Sequence, residues 1–389
     1  MRDPIIIPPG GGTFQRRTGI CLNMIVKNET GVIERLLRSV QPYIDYFVIV
    51  DTGSRDETPE LIQRITVDFG LPGEVHFRDW VNFGHNRQQA LELAVAARRG
   101  DWLLFIDADE ELGCANPTFF EGLTAGVTYR IEKHHGNIRY AVPHLLDIWE
   151  NRWEWRGPAH NYLVHLEGPE RREHLDAIWI IYHPGQGAKS HGVTPQEKYL
   201  RDARLFEAEL VQHPEDARSR FYLAQSYRDA GEFPKAHLNY DRRVAMGGWG
   251  EEVYVAQCEK AKLAIQLQHP HKDILAEHLK AWGLRPSRAE ALWQLANYCR
   301  KNKRYAEGYL FAKVGKEIPL PRDILFVRPD AYEWRLLDEF AICAYWIGQY
   351  DESAEASRLI LSAGLYPLSD EERLKKNLAF AEAKLLKGA

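Results

Sequence analysis

The stretch DWLLFIDADEEL, Asp101 to Leu112, drives an apolar run straight into a knot of acids. A short apolar run bounded by polar residues reads as a buried strand. The acids that follow, Asp107, Asp109, Glu110 and Glu111, repel one another unless positive charge sits between them. Upstream, GICLNMIV, YFVIVDTGS and VHFRDW read as strands, and TGVIERLLRSV, DETPELIQRI and GHNRQQALELAVAARR as helices. Strands alternating with helices predict right-handed βαβ units and a mostly parallel α/β sheet. Ligands bind such sheets at the carboxyl ends of the strands. VDTGS and IDADEE both begin where an apolar strand stops, so the two acidic motifs should face one crevice.

Downstream the pattern changes. From Thr194 onward, amphipathic segments rich in Ala, Leu, Tyr and Glu replace the strands. Phe221 to Ala236, Trp293 to Gly308 and Glu339 to Ala354 share one layout: an apolar helix, a polar turn, an aromatic (Phe233, Tyr305, Tyr350) and a second helix. Phe233 and Tyr305 are 72 residues apart, two tetratricopeptide periods of about 34 residues, with a degenerate unit between them. The organisation expected is a flexible Pro/Gly-rich lead-in (1–17), an α/β domain (18–193) and an all-α helical repeat domain (194–389).

The chain has 389 residues, more than one core usually serves, which agrees with two domains. Residues 1–195 hold 20 Lys+Arg against 26 Asp+Glu, a balance of -6; the remainder holds 30 against 29, or +1. Neither half is a basic nucleic-acid clamp. The five cysteines are scattered without a CxxC, which argues against a zinc site or disulfide framework and for reduced thiols in the cytoplasm. No apolar run approaches the roughly 20 residues that span a bilayer.

Carboxylates two apart at a strand end can share one hard cation, so Asp107 and Asp109 are candidate ligands for Mg²⁺ or Mn²⁺. A bound cation would also bring open positions for phosphate oxygens. Taken in order, NMIVKNE, VDTGSRDET, NFGHNRQQAL and GDWLLFIDADEEL resemble the family 2 glycosyltransferases of the GT-A fold, specifically the branch with a C-terminal tetratricopeptide-like (TPR-like) array. The resemblance implies a hexosyl transfer from a nucleotide-diphosphate sugar with inversion at the anomeric carbon. By the same resemblance Asp51 contacts the uracil or ribose of a UDP-sugar donor, with Asn28 and Glu29 nearby. Arg87 matches a basic residue near the diphosphate, where a helix N-terminus also favours an anion. Asp107 and Asp109 match the metal-binding DxD pair, and His183, straight after the apolar IWIIY, matches a further metal ligand. Lys189 lies in a Gly-rich loop able to close over the diphosphate.

The acceptor side falls to LLDIWENRWEWRGPAHNYLVH. The family pattern around WxGPxH continues with a Glu after the His, but Asn161 stands there in this chain. That leaves His160, Glu154 and Asp147 as rival bases. Trp149, Trp153 and Trp155 are either core aromatics or a sugar platform. The acceptor expected is a protein or glycan, recognised by the repeats unless these serve only for homodimerisation; the acidic first half disfavours a DNA acceptor. Two rival functions are a sugar nucleotidyltransferase, whose Gly-rich phosphate loop is missing after the first strand, and a non-catalytic TPR interaction protein.

Overall fold

The computed structural model describes residues 2–8, 19–135, 138–148, 153–168, 171–187 and 193–388. The chain divides into two compact units, Met1–Glu209 and Leu210–Ala389. The division falls within a helix, Pro195–Gln212, near whose start the residue pattern changes.

The first unit opens with β1 (Ile5–Ile7), inside the stretch expected to be a flexible lead-in. Three isoleucines suit a pleated edge, and they pair antiparallel with a later strand, Ile5 opposite Val75. Then β2 (Ile20–Val26), α1 (Ile33–Val40), β3 (Tyr46–Asp51), α2 (Thr58–Asp68), β4 (Gly73–Phe77), α3 (Phe83–Ala97) and β5 (Trp102–Phe105) alternate as the apolar periods predict. β3 and β5 are buried along their whole length, and β2 along nearly all of it, as parallel strands covered on both faces require. Side chains of the preceding turns bond backbone N–H groups at the starts of α2 and α3. The Asp56 carboxylate accepts the Thr58 N–H at 3.1 Å at the start of α2, and Asn82 accepts the His85 N–H at 2.8 Å at the start of α3.

β6 (Glu110–Cys114), β7 (Val127–His135), β8 (Ile138–Asp147), β9 (Trp153–Arg156), β10 (Tyr162–His165), β11 (Arg171–Tyr182) and α4 (Pro195–Gln212) complete the unit. The strand order is β1-β4-β3-β2-β5-β8-β7-β11-β6, with β9 and β10 forming a separate hairpin. β4, β3, β2 and β5 run parallel. Beyond β5 the direction changes: β8 is antiparallel to β5 and β7, and β6 is antiparallel to β11. The sheet is therefore mixed rather than mostly parallel. The added strands VTYRIEKHH and RREHLDAIWIIY interleave charges with apolar residues, so they lack the continuous apolar signature of the central four.

The second unit is built of consecutive packed helices: α5 (Ala217–Asp229), α6 (Phe233–Met246), α7 (Gly250–Gln266), α8 (His271–Leu284), α9 (Glu290–Lys301), α10 (Tyr305–Gly315), α11 (Leu336–Trp346), α12 (Tyr350–Ala363) and α13 (Glu371–Gly388). Phe233, Tyr305 and Tyr350 each open the second helix of a pair, as the repeat pattern requires. A long connection, 316–330, interrupts the period between α10 and α11. Part of it crosses α7 and the start of α9: Glu251 accepts the Ile324 and Leu325 N–H groups, both at 2.9 Å, and Arg288 donates to the Leu325 and Phe326 carbonyls at 3.2 and 3.3 Å. No helix among the described residues is long and apolar enough to cross a membrane.

Candidate functional site

Two clusters sit at the carboxyl ends of the parallel strands. The first is at the end of β3. Asp51 is buried, and its Oδ1 accepts the Gly53 and Ser54 N–H groups, each at 3.0 Å. Its Oδ2 is also buried and has no hydrogen-bond partner among the described residues. An orphaned carboxylate oxygen costs free energy unless a donor reaches it. A cavity of about 230 Å³ opens beside it, lined among others by Arg2, Asp51, Ser54, Phe77, Arg78 and Asp79. Asn28 lies close by in left-handed conformation, but its Oδ1 accepts the Arg55 N–H at 2.7 Å and ties two loops together. The Glu29 N–H donates to the Thr58 hydroxyl at 2.8 Å, a second tie between the same loops.

The second cluster follows β5. Asp107 accepts a hydrogen bond from Arg87, which α3 carries to it, and the guanidinium also lies 5.0 Å from the Trp155 ring centroid. The turn closes on itself, with the Glu110 carboxylate accepting the Asp107 N–H at 2.9 Å. Glu110 is ion-paired to Lys133 on β7. Desolvation works to raise the Asp107 carboxyl, but the charges of Arg87 and Lys133 outweigh it and hold the group below its ordinary range. Asp109 goes the other way: burial, then the charge of Asp107, pushes it up. Burial and Asp107 likewise push Glu110 up to about 7, against Lys133. On β8, burial drives the His144 imidazole down to about 3. The neutral ring donates from Nδ1 to the Phe105 carbonyl at 2.6 Å.

The His183 N–H donates to the Asp109 carbonyl at 3.2 Å, so the two residues are backbone neighbours. The His183 ring, however, bonds Glu111 at 3.0 Å, and no trio of His, Cys, Asp or Glu that could hold a metal ion is gathered among the described residues. What the cluster does offer is hard oxygen donors in Asp107 and Asp109, surrounded by unmatched cationic N–H groups. Arg87 Nε and Arg35 Nε and Nη2 are buried without acceptors among the described residues. Arg35, on α1, reaches Gln186 at 2.6 Å beside the acids. Such a set fits a hard cation bridged to an anionic group better than a closed protein-only metal site. Lys189 lies outside the described residues, as does Trp149.

The rival bases separate by placement. Asp147 is excluded by topology, because β8 runs antiparallel to β5 and sets Asp147 opposite Trp102, at the amino end of β5. The strand-end acids lie at the other end. Asp147 instead accepts the Gly126 N–H at 2.8 Å. Glu154 is ion-paired with Arg156 at 2.6 Å. His160 is exposed, in left-handed conformation, with its ring stacked on Phe206. Its loop packs on the start of α3: a Cβ on Gly84 would come within 2.3 Å of the Gly157 carbonyl, so only glycine fits there. Trp153 is buried in the core, and Trp155 packs edge-on against Phe105.

The segment holding both clusters is also the one that matches a known family. Residues 21–113 match the glycosyl transferase family 2 model. The family 2 match runs from β2 into β6 and stops before β7 and β8. Among curated relatives, the chain is 31% identical over 222 residues to a TPR repeat-containing protein of Synechococcus elongatus, covering 53% of this chain and 51% of that one. It is 25% identical over 221 residues to the prophage-derived glycosyltransferase SunS of Bacillus subtilis, covering 53% and 48%. The chain thus spans about half the length of the curated relatives it matches. Among solved structures, MamA is 14% identical with a TM-score of 0.36, covering 43% of this chain and 89% of that one.

Sequence reasoning missed Arg35, Lys133 and His144. The charges within VTYRIEKHH were the available signal for Lys133; nothing local marks Arg35 or His144.

Proposed function

We propose that the first unit transfers a sugar from a nucleoside diphosphate donor, with inversion, to a nucleophile on a protein or glycan held by the helical unit. The observation that carries this reading is Asp51: a buried carboxylate beside a cavity, with one oxygen unpartnered among the described residues, two strands across the sheet from a cluster of acids and unmatched cationic donors. The family 2 match across both clusters supports it. Asp51 receives an N–H of the base. Arg87 and Arg35 face the diphosphate and disperse the charge it acquires on leaving. Mg²⁺ or Mn²⁺ held by Asp109 with Asp107, and supplemented by donor oxygens and His183, would neutralise the same diphosphate. The acceptor oxygen attacks the anomeric carbon from the face opposite the diphosphate. The bond from that carbon to the β-phosphate oxygen breaks, and its electron pair leaves with the diphosphate. His160, on the loop whose Gly157 packs against the start of α3, takes the acceptor proton. The free cysteines fit work in the cytoplasm.

Titrating UDP into the full chain by calorimetry, with and without Mn²⁺, tests the reading. Asp51→Asn should weaken binding by roughly tenfold or more, as loss of a charge-assisted hydrogen bond does. Absence of nucleotide binding in the wild type would remove the donor and with it the proposal.

A further inference from the structure

The base cavity is completed from outside the segment that matches the family model. β1 pairs with β4 in the register Ile5 to Val75, and continuing that register brings Arg2 alongside Phe77 and Arg78. The Arg2 guanidinium lies 4.6 Å from the Phe77 ring centroid and donates to Glu60 at 2.8 Å. Stacking and ion pairing together fix a side chain that would otherwise sweep through solvent. Arg2 lines the same cavity as Asp51 and Arg78.

From these contacts we infer that Arg2 is a specificity-determining residue for the nucleobase; the inference rests on the nucleotide-donor reading above. Asp51 contributes one acceptor oxygen with no partner among the described residues. A guanidinium carries five N–H donors, of which Glu60 accepts one from Arg2, and Arg78 adds a second guanidinium to the lining. A wall with donors beside an acceptor complements a base edge on which an N–H is flanked by carbonyls. Uracil and thymine present that edge, with N3–H between two C=O groups. Cytosine puts a bare nitrogen opposite Asp51 and an amino group opposite an arginine, leaving both unpaired. Guanine offers one carbonyl beside its N–H, and its amino group meets a donor. Sites built to hydrogen-bond a ligand reject analogues that leave their polar groups unpaired.

The test is calorimetric titration of UDP, CDP and GDP, with uridine and cytidine as phosphate-free arms, into the full chain and its Arg2→Ala and Arg2→Lys variants. Thermal unfolding of each variant controls for folding. The wild type should prefer UDP to CDP. In Arg2→Ala the UDP affinity should fall about tenfold while CDP stays within about twofold, so the preference collapses. Arg2→Lys keeps the charge but loses the planar fork, and should recover only part of the preference. If Arg2→Ala weakened all three diphosphates equally and left uridine unchanged, Arg2 would serve the phosphates and the inference would fall. An unchanged UDP-to-CDP ratio in Arg2→Ala would also overturn it while leaving the donor reading intact. A wild type that binds no nucleoside diphosphate would instead refute the donor reading, and this inference with it.

Discussion

In the helical unit Glu259, Glu277 and Glu290 titrate below their ordinary range, whereas in the sheet unit Asp109 and Glu110 titrate above it. All five lose hydration on burial, which raises a carboxyl. In the repeats cations outweigh that penalty: Lys262 and Arg228 beside Glu259, Lys260 beside Glu277, Arg288 beside Glu290. Asp338 is an exception there, raised by burial despite Arg373. At the strand ends burial, followed by the like charge of Asp107, outweighs Lys133 at both Asp109 and Glu110. One unit spends its ion pairs on holding its shape. The other leaves carboxylates short of positive charge, the condition of a site that takes its counter-charge from a ligand.

Breaking a balanced pair should therefore cost folding, and breaking the unbalanced cluster should cost activity. The largest effect is expected from Arg288→Ala. It strips a buried cation from Glu290 and Asp323 and from two loop carbonyls. Chemical denaturation of the full chain should register a loss of about 3–5 kcal/mol. Asp109→Asn should lower sugar transfer by roughly a hundredfold or more, about 3 kcal/mol of barrier, while leaving the denaturation midpoint unchanged or slightly raised because a repulsion with Asp107 disappears. A midpoint that fell as far as that of Arg288→Ala would erase the contrast between the units.

His278 offers a pH probe of the helical unit. The ring is fully buried, with Nδ1 donating to the Ile274 carbonyl at 2.8 Å. Burial pushes its pKa down to about 4, helped by Lys262 and opposed by Glu277. An unfolded histidine titrates near 6.5, so below that pH the unfolded chain binds the extra proton. This contribution to stability is complete above about pH 6.5 and is lost as pH falls toward 4. Between pH 7 and 5 the loss should be about 2 kcal/mol, and His278→Gln should flatten that part of the profile. The smallest change belongs to exposed pairs such as Lys376 with Glu372 on α13. Lys376→Ala should shift stability by less than about 0.5 kcal/mol, which would confine the contrast to buried charge.

The first half of the sheet was legible because its strands are continuous apolar runs ending in polar turns, and the repeats because Phe233, Tyr305 and Tyr350 mark helix starts. Asp51, Arg87, Asp107 and Asp109 stood out as strand-end or helix-start residues. Asp147 misled for the converse reason: it ends a strand, but one whose reversed direction no local pattern reveals. Lys133 and His144 were missed because the order β5-β8-β7, which brings them beside the acids, is a property of long-range pairing. Arg35 hid among the ordinary polar positions of an amphipathic helix.

The crossing segment of the 316–330 connection has a consequence for how the repeats come apart. A stack in which each helix pair touches only its neighbours unfolds as a chain of weakly coupled units that can fray from either end. Here Glu251, at the start of α7, holds the backbone of Ile324 and Leu325, which belong to the connection leaving α10. Arg288 and Glu290 hold the next residues, the Arg328 N–H reaching Glu290 at 3.1 Å. Opening the stack between α7 and α10 therefore means releasing this staple as well as the local interface. The middle of the array should melt as one cooperative block, with fraying confined to the helices outside it.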